Sequence, residues 1–408
     1  MDYITLPLKS IPVYDKKQLV VLGGGPAGVS AAISAARLGI NVMLVEKAGF
    51  LGGQATGGLV IVLCGLKDSE GFLYKGFCQE VVEYLENNQA SKPFYNFIIF
   101  EPELLKRYFD NIIEENNVSL LLNSYVVDTL VENNSVKYVI CETKSGRIAI
   151  ETDFIIDCTG DADSLVWTEE KFEQASKQDA RAVTSCFRVG GVNVDSVNAY
   201  IKDYKEEFIK LIAKNGLDFN PVHWASTVSP GIVWFDIGHV HPIDITDVND
   251  LTKGEIEARR LNWKIFDLYK NNVPGFEDSF IIDMAPLLGV RDSRRLLAKH
   301  QITSADYGKN FDDCIALAPY YFAEKGIGQL QIPYRSLLPE KIKNLLVAGR
   351  AISIEHKLID CIREIPCCFA TGQAAGVAAS LSIKQKVHNY QVDIKKLREY
   401  LLAQNAQI

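Results

Sequence analysis

The sequence predicts an α/β chain of two lobes. The first is built around a strand, glycine turn, helix and strand; the second is an inserted α+β unit on a mixed or antiparallel sheet. Three observations carry this. QLVVL (18–22) runs into GGGPAG (23–28), the helix-like VSAAISAARLG and the apolar NVMLVE (41–46). Between about 170 and 325 the texture changes to mixed strands such as VTSCFRVGGVNV and GIVWFDIGHV beside the charged, helix-like LTKGEIEARRLNWKIFDLYKNN. From Asn344 the first texture returns, with the strand NLLVAG, a polar loop and the small-residue helix CCFATGQAAGVAASLSI.

The elements follow from their periods. QLVVL and NVMLVE are β-rich apolar runs, and the helix between them ends near Gly39. EPELLKRYFDNIIEEN (101–116) places Leu104, Leu105, Tyr108, Phe109, Ile112 and Ile113 on one helical face. VSLLLN, YVVDTLVE, VKYVICET and IAIETDFIIDC then read as a strand meander ending at Thr159-Gly160-Asp161, with ENNS and KSG as turns. The simplest organisation assigns 1–170 and 326–385 to the first lobe, 171–325 to the second, and 386–408 to a helical tail (VDIKKLREYLLAQ).

Composition bounds the function. The 408 residues suit two or three domains, or one large domain with an insertion. Hydrophobic residues at 48% and charged residues at 23% describe a globular chain and exclude a disordered tail. A net charge of −8 argues against an electrostatic binder of nucleic acid or anionic membrane. No uncharged apolar run reaches spanning length; the best, Ala31 to Val45, is broken by Arg37, Gly39 and Asn41. The first residues lack a secretion-signal pattern, and nine scattered cysteines fit free thiols in a reducing cytoplasm. Without C-x-x-C or zinc-like histidine spacing, no metal is expected.

The strongest motif is the glycine turn. Gly23 permits a tight bend, Gly25 lets backbone approach a diphosphate, and Gly28 allows close helix packing. The helix N-terminus then presents free N–H groups to the anion. Glu46 ends the next strand, where a carboxylate accepts hydrogen bonds from a ribose and repels a 2′-phosphate, so NADP is disfavoured there. A domain for NAD would continue into a second βαβ half, whereas this one turns into a meander. Thr159-Gly160 and, far downstream, Gly349-Arg350 offer two further close approaches. The helix beginning near Pro366-Cys367 aims its positive end at that region, which suits the flavin edge that gains negative charge on reduction.

With these motifs the chain resembles the broad family of FAD-dependent oxidoreductases that includes the flavin-binding portion of heterodisulfide reductase. The resemblance covers nearly the whole chain. It is carried by residues 20–58, FIIDCTGDAD (154–163), CFRVGGVN (186–193), 273–296, IPYRSLLPEKIKNLLVAGRAIS (332–353) and GQAAGVAA (372–379). It implies a Rossmann-like FAD domain of the two-dinucleotide-binding type, with FAD held non-covalently and a small substrate under the second lobe. A covalent link to His356 or Cys361 stays open. By matching position, the implied cofactor residues are Gly23, Gly25, Pro26, Ala27, Gly28, Glu46 and Lys47. They continue with Gly53 and Gln54 beside Gly52, Val127 (or Val126) at the adenine, Thr159 and Gly160. Arg294 in G-x-R-x-S-R-R, Gly349, Arg350 and Ile365 complete the set. His239 and His241 stand where a more ordinary strand is expected.

Three residues are the candidates for chemistry. His356, in the loop before the last helix, is placed to take a proton while hydride leaves a neighbouring carbon, or else to bond backbone or FAD. Arg363 and Arg291 are placed to orient substrate. Arg291, Arg294 and Arg295 read as a helix start, with an ion-pair role as the plainer alternative. His239 or His241 could contact substrate from one face of a strand. Adjacent Cys367 and Cys368, and Cys64 with Cys78 fourteen residues on, do not suit thiol redox chemistry. The expected activity is FAD-dependent dehydrogenation or oxidation of a small organic substrate, with the electron partner open. The alternatives are a flavin-dependent C=C reductase and a non-catalytic FAD subunit that relays electrons.

Overall fold

The computed structural model of the chain describes residues 4, 10–66 and 73–408. Val13–Leu22 forms the centre of the main sheet, with Val42–Val45 on one side and Gly146–Asp157 on the other, both parallel to it. Leu19, Val20, Val21 and Leu22 are each 0% exposed, as expected of a parallel strand covered on both faces. Beyond Gly146–Asp157 the sheet becomes antiparallel, through Ser135–Thr143 and then Tyr125–Glu132. Ser119–Leu121 differs from the expected meander. It adds in parallel to Val42–Val45 at the opposite edge, so the meander begins only at Tyr125.

Leu345–Val347 lies parallel to Ile155–Asp157, where the antiparallel strands have already diverged. Asn344 pins that fork: its Oδ1 accepts from Val136 N at 2.8 Å, and its Nδ2 donates to Val136 O at 2.8 Å and Asp153 O at 2.9 Å. From Leu345 the chain thus rejoins the sheet of the first strands.

The helices Pro26–Ala36 and Ile365–Gln385 run parallel in close contact. A Cβ on Gly372 would stand 2.1 Å from Ala27 O, and one on Gly376 2.3 Å from Ala31 O. Glycine at these two places lets the backbones meet. Phe77–Asn87, and the sheet of Val62–Leu63, Ser91–Phe94 and Phe97–Phe100, fill the flank of this pair. They bury Phe77, Val81, Leu85, Ile99 and Phe100 in the same core.

The second lobe has an antiparallel sheet in the order Trp224–Ser226, Val233–Phe235, Phe187–Gly190, Phe280–Met284. Helices Val194–Lys214 and Val248–Asn272 supply Phe208 and Tyr269 to its aromatic core, where Phe187 and Phe235 stack at 4.8 Å. Its apolar clusters draw on residues from Val183 to Val290.

Three expectations change. The 325/326 boundary cuts a hairpin, Cys314–Tyr320 with Gly328–Pro333, whose Ile315, Ala316, Leu330 and Ile332 belong to the first lobe's core. Arg291–Arg295 does not start a helix: Arg294–Leu296 is a strand, because its backbone pairs antiparallel with Phe172–Gln174. Ile394–Ala403 forms the expected tail helix, but it belongs to the first lobe, since Leu397 and Leu401 are fully buried in that core. Among the described residues no helix is long and apolar enough to cross a membrane, and no cluster of His, Cys, Asp or Glu is placed to hold a metal ion.

Candidate functional site

A cavity of about 420 Å³ runs from the glycine turn to the junction of the lobes. At the turn, each glycine answers a different demand. Gly23 has φ +94°, and a Cβ there would stand 2.6 Å from Cys158 O. A Cβ on Gly28 would meet Gly23 O at 1.8 Å, so Gly28 serves the packing of helix on turn and does not line the cavity. At Gly25 no protein atom lies within 4 Å of a Cβ position. Nothing in the protein requires glycine there, whereas a ligand backed against the turn does. The residues therefore fit a dinucleotide. Helices Pro26–Ala36 and Ile365–Gln385 both start on the cavity wall, at Gly25 and Glu364. Neither has a side-chain cap or an acidic residue in its first turn, which leaves two positive ends facing the cavity.

One end of the cavity is walled by Glu46, Lys47, Ser124, Tyr125 and Val126, with Gly53 and Gln54 beside the turn. Glu46 is nearly buried, and its carboxylate accepts from Gly24 N at 2.6 Å and Ala48 N at 2.7 Å. Each oxygen keeps a second acceptor site for a ribose hydroxyl. Gly53 packs on Gly25, and Gln54 Nε2 reaches across the lobes to Leu288 O at 3.0 Å. Val127 is not on the wall, whereas its neighbour Val126, the other residue the resemblance implies, is.

Midway, Asp157 builds the turn after the strand Gly146–Asp157. Its Oδ1 accepts from Thr159 N at 2.9 Å and Thr159 Oγ1 at 2.7 Å, and its Oδ2 from Ser164 N at 2.9 Å. Gly160, with φ +83°, lies under Arg350. Arg350 donates to Asp161 Oδ1 at 2.5 Å and Ser293 Oγ at 2.8 Å. Burial pushes the Asp161 carboxyl up, but Arg350 outweighs it and holds the group below the usual aspartate value. Asp163 is pushed up to about 6 by burial and by Asp157 and Asp161. Arg294 stands behind this turn, bonded to Asp161 O and Asp163, and does not line the cavity.

The far end combines both lobes. Arg363, Glu364, Ile365, Gly349 and Cys368 come from the first; Thr184, Cys186, Asp236 and Arg291 come from the second. Arg291 donates to Asp236 Oδ1 at 3.0 Å, Thr184 Oγ1 at 2.5 Å and Ala182 O at 3.1 Å. Arg363 pairs with Asp360 at 2.7 Å and stands 3.8 Å from Glu364. Burial raises the Glu364 carboxyl above the usual range; Arg363 opposes this, while Asp360 and Asp236 add to it. Burial also pushes the Cys368 thiol up to about 12, so it is protonated at neutral pH. All nine cysteines are unpaired.

His356 does not reach the cavity. Its Nε2 lies 2.7 Å from Asp292 Oδ2, with the ring part-exposed and the carboxylate fully buried. His239 and His241 also lie off the wall, beyond the strand Val233–Phe235 and not within it. Glu364 and Asp236 also line this end, and neither was singled out from the sequence as a candidate for chemistry. The signal for Glu364 was its position just before Ile365-Pro366 at a helix start.

The family described as FAD dependent oxidoreductase matches residues 18–401. An NADH oxidase of Thermoanaerobacter brockii is 57% identical over 47 residues, covering 12% of this chain and 7% of that protein. A leghemoglobin reductase of Glycine max is 27% identical over 152 residues, covering 37% of this chain and 26% of that protein. These matches span only a small part of each relative's length. A geranylgeranyl bacteriochlorophyll reductase-like structure from Thermoplasma acidophilum superposes with a TM-score of 0.52 at 13% identity, covering 96% of this chain and 84% of that one. That likeness is one of fold.

Proposed function

This chain belongs to the FAD-dependent oxidoreductases, and we propose that it dehydrogenates a small organic molecule held at the junction of its two lobes. The observation that supports this is one cavity joining the glycine turn at one end to Glu364, Arg363, Asp236 and Arg291 at the other. FAD, when bound, supplies the two-electron acceptor. The chain's own residues supply position and proton handling. Gly25 and the first helix would receive the diphosphate, Glu46 the ribose, and Gly160 with Arg350 the middle of the cofactor. Glu364 would take the substrate proton, since its raised carboxyl is a stronger base than a solvated one and it lies on the wall where His356 does not. Arg363 and Arg291, fixed by Asp360 and Asp236, would orient the substrate. The net charge of −8 and the nine unpaired cysteines support a cytoplasmic protein that does not bind nucleic acid.

Anaerobic titration of the FAD-loaded protein with alcohols and amines, followed at the flavin band, tests this. Bleaching by an organic donor is the expected result. Bleaching by NADH alone, reversed by an activated alkene, would favour the second reading, reduction of a C=C bond. That reading draws on the two arginines that face the cavity in place of a histidine.

A further inference from the structure

The segment Arg291–Arg295 divides its side chains between the two lobes. Arg291 goes to Asp236 in the second lobe. Asp292 turns the other way, into the first lobe, where its carboxylate has no solvent exposure and is held between His356 Nε2 at 2.7 Å and Arg295 Nη1 at 2.6 Å. The next residue, Ser293, is 4% exposed; its hydroxyl accepts from Arg350 at 2.8 Å and lies 3.4 Å from Gly160 O. Arg350 spends its remaining short contact on Asp161. Successive residues of one extended segment therefore tie a part-exposed histidine to an arginine on the cavity wall.

We propose that His356 is a positioning residue for Arg350. It acts through Asp292 and Ser293 to set the guanidinium over Gly160, where the cofactor's middle would lie. The inference rests on the cofactor placement given above. A buried carboxylate is stable only when its charge is matched. Removing His356 leaves Arg295 as the one short partner on Asp292, so the carboxylate moves toward it. The backbone that moves with Asp292 carries Ser293, and Ser293 fixes one of the two anchors of Arg350. Two of the five guanidinium N–H donors make those anchors, which leaves others for a ligand in the cavity.

The test is a double-mutant cycle read as FAD dissociation constants on FAD-free protein, by flavin fluorescence. His356→Leu should weaken FAD about tenfold, within the range of couplings for residues in one network. His356→Gln, whose amide nitrogen stands near the place of Nε2, should stay within about twofold of wild type, since a hydrogen-bond donor to Asp292 is restored. Arg350→Lys should weaken FAD, and adding His356→Leu to it should change nothing further. If the two effects multiply, or if His356→Leu binds FAD like wild type, His356 does not act through Arg350 and the proposal is overturned. Should His356→Leu fail to fold, His356→Asn, one bond too short to reach Asp292, takes its place with the same expected outcomes. If neither Gly25→Ala nor Arg350→Lys alters FAD affinity, the fault lies in the cofactor placement and not in the relay.

Discussion

Gly25→Ala perturbs the cavity while leaving the surrounding protein alone. The backbone at Gly25 is extended, with φ −71° and ψ −174°, a conformation open to any residue. No protein atom lies within 4 Å of the added methyl. The FAD-free variant should therefore melt at or slightly above the wild-type temperature, because removing a glycine's freedom in the unfolded chain stabilises by about 0.4–1 kcal/mol. FAD affinity should move the other way. A methyl forced into a closely filled contact costs about 1–3 kcal/mol, and each step of about 1.4 kcal/mol is tenfold in Kd. Fluorescence titration gives the affinity, and a thermal melt of the same preparation gives the stability. Gly28→Ala is the contrast: its Cβ would meet Gly23 O at 1.8 Å, so stability should fall first. Wild-type FAD affinity in Gly25→Ala would show that no diphosphate rests on this turn.

Other outcomes follow from the same geometry. Glu46→Ala removes the acceptor of two backbone N–H groups; FAD retention through gel filtration should weaken by about 1–3 kcal/mol, and full retention would exclude Glu46 from the nucleotide end. Glu364→Gln should slow substrate-driven flavin reduction by about 10²–10⁴-fold. In wild type that rate should climb with pH as Glu364, held above the usual carboxylate range by burial, loses its proton, and in the variant the climb should vanish. A pH profile unchanged by the substitution would assign the proton elsewhere. Gly372→Val drives a side chain into Ala27 O, 2.1 Å from the Cβ position, and should cost about 3 kcal/mol or more in urea unfolding; an unchanged midpoint would contradict the close helix contact.

The end proposed for the nucleotide was legible because its demands are local. A turn needs glycines at fixed spacing, and the acceptor at the next strand's end needs a carboxylate, so Gly23, Gly25, Gly28 and Glu46 announce themselves within one βαβ unit. Thr159-Gly160 and Gly349-Arg350 were readable for the same reason, each being a strand followed by a small-residue turn. The far end has no such grammar. Asp236 meets Arg291 from 55 residues away and His356 meets Asp292 from 64. These contacts are made by tertiary packing between distant segments, which no period in the sequence encodes. The same cause hid the strand Arg294–Leu296, which depends on Phe172–Gln174.

The pairing of Pro26–Ala36 with Ile365–Gln385 sets an order of events during synthesis. The glycine turn leaves the ribosome early, yet the helix behind it is held by Gly372 and Gly376, and its sheet lacks Leu345–Val347 until those residues are made. Contacts this distant along the chain form slowly, since a long loop must close before they give any return. A nascent chain short of about residue 380 carries the glycine turn and its neighbouring strands without the completed helix that packs on Pro26–Ala36, so the apolar first helix stays open to wrong partners. Fragments ending near residue 340 should neither retain FAD nor resist proteolysis, however complete their glycine motif. The glycine turn thus gains its second-helix brace only once Ile365–Gln385 has been made.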